Sequence, residues 1–266
     1  MVTRRVILSP MLLAVDTGNT STVLGLFDGD DLVAHWRVPT NRTRMADQYA
    51  ILLKNLLELD NCPPPEHAVI SSVAPHVERE LSTALKQYWG VESMFVSSRA
   101  LSGLLTVETD NPKEVGADRL VNSVAALTYD AHVLLTVDFG TATNFDLIVK
   151  PNRLLGVALA PGPMVAADAL FSRTAKLPRV DLEAPPSVIG KNTVTALQSG
   201  LVFGYAAMVD GMVRRFRGEV EAEHGAPFVI ATGGFANVVE GHCQEVDAYD
   251  TLLTLKGLRI IAERLG

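Results

Sequence analysis

The sequence predicts an α/β protein made of two related halves, each a mixed β-sheet flanked by helices. Three observations point there. The segment Leu12-Leu13-Ala14-Val15-Asp16-Thr17-Gly18 returns 122 residues later as Leu134-Leu135-Thr136-Val137-Asp138-Phe139-Gly140, with Leu-Leu-x-Val-Asp-x-Gly in common. Internal repetition of this kind marks a duplicated architecture. After each copy come short apolar runs and then alternating helical and strand patterns, the order of a mixed-sheet layer. The 266 residues suffice for two halves of ordinary size, and 48% apolar with 20% charged residues is a globular composition.

In the first half Leu12–Val15, Thr22–Phe27 and Leu32–Arg37 read as an antiparallel meander, with a turn at Asp28-Gly29-Asp30. Ile51, Leu52, Leu56 and Leu59 share the face of a helix from Asp47 to Leu59, stopped by Asp60-Asn61. Pro63-Pro64-Pro65 is a rigid connector to the strand Ala68–Ser72. Val77, Leu81 and Leu85 mark a helix ending before Gly90, with a strand after it. The second half repeats the order as Val133–Val137, Asn144–Val149 and Leu154–Ala160, with a turn at Pro151-Asn152. A long helix runs from Val194 to Phe216; Gly200, Gly204 and Gly211 inside it each cost about 1 kcal/mol and predict close packing on a neighbouring backbone. Phe228–Thr232 is a strand entering Gly233-Gly234, and Thr254–Leu265 closes the chain as a helix.

A net charge of −7 and a pI near 5.4 argue against broad nucleic-acid or anionic-membrane binding, while leaving room for a local cationic pocket. Cys62 and Cys243 have no metal-ligand spacing, and two thiols suit a reducing compartment. Arg4 and Arg5 before an apolar run resemble the start of a signal peptide, but Pro10 interrupts the run and Asp16 ends it, as in a buried strand. Residues 1–10 therefore read as an extension. No apolar stretch is expected to reach the roughly 18 residues that cross a bilayer, so a cytoplasmic protein is expected.

Asp16 and Asp138 are the first candidates for chemistry. An apolar strand ending in Asp-x-Gly and hydroxyl residues suits a hairpin turn whose backbone N–H groups meet an anion. Gly18, Asn19, Thr20, Gly140 and Thr141 would supply those amides. Carboxylates beside a phosphate repel it unless a cation intervenes, so the pair implies a nucleoside triphosphate with Mg²⁺. Asp118 stands before a helical pattern carried by Leu120, Val121, Val124 and Ala125, where it reads as an N-cap that could also meet a substrate hydroxyl. Arg119 could pair with a substrate carboxylate or developing phosphoryl charge, and Gly116 permits close backbone approach. Thr193 reads as the N-cap of the long helix, Pro161-Gly162-Pro163 as a structured turn and Gly233-Gly234 as a weak nucleotide signal. There is no Gly-x-x-x-x-Gly-Lys-Ser/Thr, no Gly-x-Ser-x-Gly and no His-Glu-x-x-His, which excludes a P-loop kinase and gives no support to a nucleophile-elbow hydrolase or a zincin.

Taken in order, the motifs closely resemble the type III pantothenate kinases. The resemblance rests on Asp16-Thr17-Gly18-Asn19-Thr20, Asp110-Asn111-Pro112, Gly116-Ala117-Asp118-Arg119, Val137 to Thr143 and Ala160-Pro161-Gly162. It continues through Ala169 to Arg173, Lys176-Leu177-Pro178, Gly190-Lys191-Asn192-Thr193, Ala231-Thr232-Gly233-Gly234 and Leu253-Thr254-Leu255. Thr109 stands where that family often has Tyr, and Thr17 and Ser21 replace its more usual Val and Asn. The resemblance implies two RNase H-like, actin-like ATPase halves with mixed five-stranded sheets, over residues 11–122 and 123–266. It implies ATP-dependent phosphorylation of pantothenate by a homodimer with the substrate site near the interface. ATP falls to Asp16, Thr17, Gly18, Asn19, Thr20, Ser21, Thr22, Val23 and Thr141, and a monovalent cation (K⁺ or NH₄⁺) to Asp138. Pantothenate falls to Gly116, Ala117, Asp118, Arg119 and Thr193, with Asp118 as general base.

Overall fold

The computed structural model describes residues 10–173 and 177–265. Most of the expected N-terminal extension, and Lys176 of the Lys-Leu-Pro motif, therefore lie outside the described residues. In chain order the elements begin with β1 (Met11–Thr17), β2 (Ser21–Asp28), β3 (Asp31–Pro39), α1 (Ala46–Leu59), β4 (His67–Ser72), α2 (Pro75–Trp89) and β5 (Ser93–Phe95). Then follow β6 (Thr106–Val107), α3 (Ala117–Ala126), β7 (Val133–Phe139), β8 (Ala142–Val149), β9 (Arg153–Pro161) and α4 (Pro163–Arg173). The chain finishes with α5 (Thr193–His224), β10 (Phe228–Gly233), α6 (Ala236–Val239), β11 (Ala248–Tyr249) and α7 (Leu253–Leu265).

These elements form two compact units. Of the described residues, unit one takes those up to Leu104, then Lys113–Ala125 and those from Thr254 on; unit two takes those of Leu105–Pro112 and of Ala126–Leu253. The sequence-contiguous division at 122/123 thus differs from the compact units in three places: residues 105–112 fall in unit two, residues 123–125 in unit one, and the C-terminal helix from Thr254 on belongs with unit one.

Unit one holds a five-stranded sheet in the order β3-β2-β1-β4-β5. β1, β2 and β3 are antiparallel neighbours, while β4 and β5 run parallel to β1. The reason lies in the connections. The β2–β3 turn is tight and uses Gly29 at φ 58°, a left-handed conformation that favours glycine. The parallel neighbours are reached through helices, as parallel pairing requires. Leu13 and Val15 of β1, Leu53 and Leu57 of α1, and Val77, Leu81 and Leu85 of α2 make one buried cluster. α2 stops at Gly90, whose φ of 71° closes the helix.

Unit two repeats the plan in the order β11-β10-β7-β8-β9-β6. β7, β8 and β9 are antiparallel, and β10 and β11 are parallel to β7, so β7 to β11 (α-elements aside) reproduce β1 to β5 in order and direction. A sixth strand, the two-residue β6, pairs parallel with β9 and extends this sheet beyond the five expected. Val133, Leu135 and Val137 of β7 pack with Val202, Val209 and Val213 of α5.

Helix α5 differs from its sequence reading in three ways. It runs on to His224 and ends at Gly225, two turns past Phe216. It is long and apolar enough to pass as a membrane span by length and composition, with a mean hydropathy of 1.2 over 18 residues, contrary to the expectation that no stretch would. Val202, Val209 and Val213 nevertheless turn one side of it into the core. Finally, Gly200, Gly204 and Gly211 do not meet a neighbouring backbone: a Cβ at any of them has nothing within 4 Å among the described residues.

Candidate functional site

In unit one, the apolar strand β1 carries Asp16 to its C-terminal end, beside Ser71 in the parallel strand β4. The chain then turns through Gly18, Asn19 and Thr20 into β2. Gly18 N–H donates to Ser21 O at 3.0 Å, and the Thr40 hydroxyl donates to Gly18 O at 2.8 Å. Thr40 N–H also donates to Thr20 O, so one threonine after β3 braces both sides of the turn. Asn19 and Thr20 are exposed at its tip, and Arg42 donates to Asn19 Oδ1 at 2.7 Å. Ser21, Thr22 and Val23 continue inside β2, where Thr22 is buried and shares a hydroxyl contact of 3.0 Å with Thr40.

Asp118 and Arg119 lie in the same unit. The helix α3 starts at Ala117, so Asp118 sits inside its first turn and is not the N-cap the sequence suggested. Asp118 Oδ1 accepts the Arg119 N–H at 2.9 Å. A Cβ at Gly116 would stand 2.6 Å from Asp118 Oδ1, which accounts for glycine there. Arg119 is buried, and Asp118 and Ala117 are half-buried.

The fold brings the two carboxylates within electrostatic reach. Burial pushes the Asp16 carboxyl up to about 7; the charge of Asp118 adds to the rise, while Ser71 and Arg37 oppose it. Asp118 is also raised, chiefly by burial, against the lowering effect of the Arg119 N–H and guanidinium. Asp16 Oδ1 and Ser71 Oγ are buried without a hydrogen-bond partner, although Ser71 is near enough to influence the carboxyl. Two carboxylates that repel each other and an unsatisfied buried oxygen are what a divalent cation would relieve. One or two carboxylates, completed by phosphate and water, suit Mg²⁺. No cluster of three or more His, Cys, Asp or Glu side chains occurs among the described residues.

Unit two repeats the strand-end carboxylate. Asp138 lies at the end of β7, in register with Thr232 of the parallel strand β10. Gly233 follows at φ 91°, and a Cβ there would be 2.7 Å from Phe139 N and Phe139 O and closer still to Asp138 Oδ1. The loop past Asp138 is held from the other side: Gly162 N–H donates to Thr141 O at 2.9 Å, and a Cβ at Gly162 would overlap Gly140 O and Thr141 O. The Gly-Gly and Pro-Gly-Pro segments therefore pack around the Asp138 loop, a role their sequences alone did not indicate.

Thr193 is the first residue of α5, not its N-cap. The cap is Asn192, whose side chain accepts the Thr195 N–H at 2.9 Å. Thr193 is exposed and lines a cavity of about 480 Å³ with Leu177, Gly190, Lys191, Asn192 and Leu197. Sequence reasoning passed over Thr40, Arg42 and Ser71. The available signal for Ser71 was β4 ending in Ser-Ser after an apolar run, the same polar ending that drew attention to β1 and β7. Thr109 Oγ1 is buried without a partner, and nothing in the structure explains threonine at that position.

A duplicated sheet with a carboxylate at the end of each first strand, beside a braced hydroxyl-rich turn, marks a protein of the actin-like ATPase fold class. The sequence profile of the type III pantothenate kinases matches residues 12–215. The chain belongs to the type III pantothenate kinase family. A type III pantothenate kinase of Thermus thermophilus is 56% identical over 257 residues, covering 96% of this chain and all of the relative. One from Deinococcus radiodurans is 52% identical over 250 residues, covering 93% of this chain and 94% of its own length. Among solved structures, ethanolamine utilization protein EutJ from Carboxydothermus hydrogenoformans aligns with a TM-score of 0.54 at 14% identity, over 95% of this chain and 90% of its own, a likeness of fold alone.

Proposed function

We propose that this chain transfers the γ-phosphoryl group of ATP to the terminal hydroxyl of pantothenate, the first step of coenzyme A biosynthesis. The observation that carries the reading is the family match over residues 12–215, in a chain whose Asp16 Oδ1 is buried at the end of β1 and whose Asp118 stands in the first turn of α3 of the same unit. Asp118 accepts the hydrogen bond of the substrate hydroxyl, orients the oxygen toward the γ-phosphorus and takes the proton as the new P–O bond forms. Phosphoryl transfer asks mainly for positioning and charge neutralisation, and its loose transition state needs no prior deprotonation. Asp118 is therefore an orienter first and a base second. Its raised pKa, caused mainly by burial, makes it a better proton acceptor than a solvated carboxylate.

Asp16, with the Ser71 hydroxyl beside it, would hold Mg²⁺, which when bound neutralises phosphate charge. The segment from Asp16 through Thr17, Gly18, Asn19, Thr20, Ser21 and Thr22 to Val23, together with Thr141, binds the ATP phosphates. Asp138 binds K⁺ or NH₄⁺. Gly116, Ala117, Arg119 and Thr193 bind pantothenate, Arg119 through its guanidinium. In a coupled ADP-release assay, turnover should require pantothenate and should fall at least about tenfold when Na⁺ replaces K⁺, an effect on the scale of one lost electrostatic contact. Asp138→Ala should remove the K⁺ response. No turnover with pantothenate would overturn the assignment, and equal rates in Na⁺ and K⁺ would overturn the role of Asp138.

The same reading makes the protein a cytoplasmic homodimer with the pantothenate site near its interface. Gly200, Gly204, Ala207 and Gly211 recur at three- and four-residue spacing on α5, with open space over each glycine. Small residues so spaced let a second helix approach closely. Leu159, Met164, Val188, Ile189 and Val194 leave large apolar side chains exposed in the same unit. Sedimentation equilibrium should give twice the 28.6 kDa chain mass, and Gly204→Leu should shift it toward monomer. A monomer for the unmodified protein at micromolar concentration would refute the dimer.

A further inference from the structure

The C-terminal motif Leu253-Thr254-Leu255 has no place among the candidate ligands, yet it reaches the helix that carries Asp118. Thr254 Oγ1 donates to Asn122 Oδ1 at 2.7 Å across 132 residues of sequence. Asn122 is fully buried and lies on α3 one turn after Asp118. Beside this bond α7 presses its backbone onto α3: a Cβ at Gly257 would stand 2.7 Å from Val121 Cγ1 and closer still to Val121 O. On β2, Gly25 admits Leu255, with a Cβ there only 2.8 Å from Leu255 Cδ1. Leu255, Leu258 and Ile261 are buried, and Arg259 pairs with Asp30 at the end of the β2–β3 turn. Thus α7 is fastened at once to the sheet and to α3. Apolar contacts of this kind are non-directional and tolerate sliding, whereas the Thr254–Asn122 bond has a required length and angle.

We propose that Thr254 is a positioning residue, its bond to Asn122 setting the height of α3 and so the place of the Asp118 carboxylate relative to Asp16. The proposal rests on the reading of Asp118 as orienter and base. Thr254→Val keeps the β-branch and removes the donor, so the buried Asn122 Oδ1 loses this hydrogen bond. A displacement of about an ångström in a reacting group costs up to about 10²-fold in rate. Thr254→Val, assayed where it is fully folded, should therefore lose at least about tenfold in kcat, with KM for ATP and pantothenate within about twofold of the original. Thr254→Ser should restore the rate. In an Asp118→Asn background Thr254→Val should add no further loss, because the two act as one unit.

A lower Tm with unchanged kcat, or the same fold-loss with and without Asp118, would overturn the proposal and leave Thr254 a purely structural residue. Should Thr254→Val fail to fold, Gly257→Ala keeps the hydroxyl and pushes on Val121, and the same kcat-selective loss is expected of it. An unimpaired Gly257→Ala would then overturn the proposal. The underlying reading fails separately: full activity of Asp118→Asn removes the base assignment itself. A slow Asp118→Asn beside an unimpaired Thr254→Val removes only the role of Thr254.

Discussion

Replacing Asp118 by asparagine is expected to lower kcat by about 10²- to 10³-fold while KM for ATP changes little. The amide is nearly isosteric, so the Gly116 approach to the side chain and the first turn of α3 survive. What is lost is the negative charge that orients the substrate hydroxyl and the site that receives its proton. General-base contributions extend to about 10⁴-fold, but a loose transition state places this one in the lower part of that range. Steady-state kinetics with pantothenate and ATP varied in turn would separate the outcomes. An unchanged kcat would exclude Asp118 from the chemistry, and a raised KM for pantothenate alone would make it a binding residue only.

The second large effect runs in an unusual direction, because Asp16→Asn is expected to stabilise the ligand-free protein above neutral pH. Burial and the neighbouring Asp118 push the Asp16 carboxyl up to about 7 in the folded chain, against 3.8 as its ordinary value. Between those two values the folded state holds a proton that the unfolded state has released. Stability then falls as pH rises through this window, and the loss is complete above it. A tenfold difference in proton affinity between the two states corresponds to about 1.4 kcal/mol, so the gain from Asp16→Asn at pH 8 should be about 2–4 kcal/mol, shrinking toward nothing at pH 4. Urea denaturation of the two proteins at pH 4, 6 and 8, without nucleotide or divalent ion, measures this. Parallel pH profiles would show that Asp16 is not the group responsible. The same variant should lose the thermal stabilisation that Mg·ATP gives the original protein, since the carboxylate that destabilises the ligand-free fold is the one that would hold the ion.

Much of this was legible in the residues, for a definite reason. Strand spacing, helical periodicity and glycine turns are local properties, and the duplication exposed the architecture twice over. The meander of β1 to β3, its copy in β7 to β9 and the closing helix all follow from side-chain alternation within a few residues. Asp16 and Asp138 stood out because two strands ended alike. What escaped was set by pairs of residues far apart in sequence, or by which of two neighbours reaches a partner first. Asn192 took the cap expected of Thr193 because its amide reaches the Thr195 N–H. The glycines of α5 suggested a neighbour, but whether one is present depends on packing. Thr40 and Ser71 are ordinary residues until the sheet sets them beside the Gly18 turn and Asp16.

The sequence by itself thus determined the two-fold plan, the strand-end carboxylates and the family, because each is written in local pattern or in motif order. Only the tertiary structure decided that Asp16 and Asp118 act on each other, that Gly162 and Gly233 close around the Asp138 loop, and that the last helix returns to grip α3. Those are long-range relations, created when burial forces distant polar groups to find partners or forgo them. A single chain of letters carries no record of which ones meet.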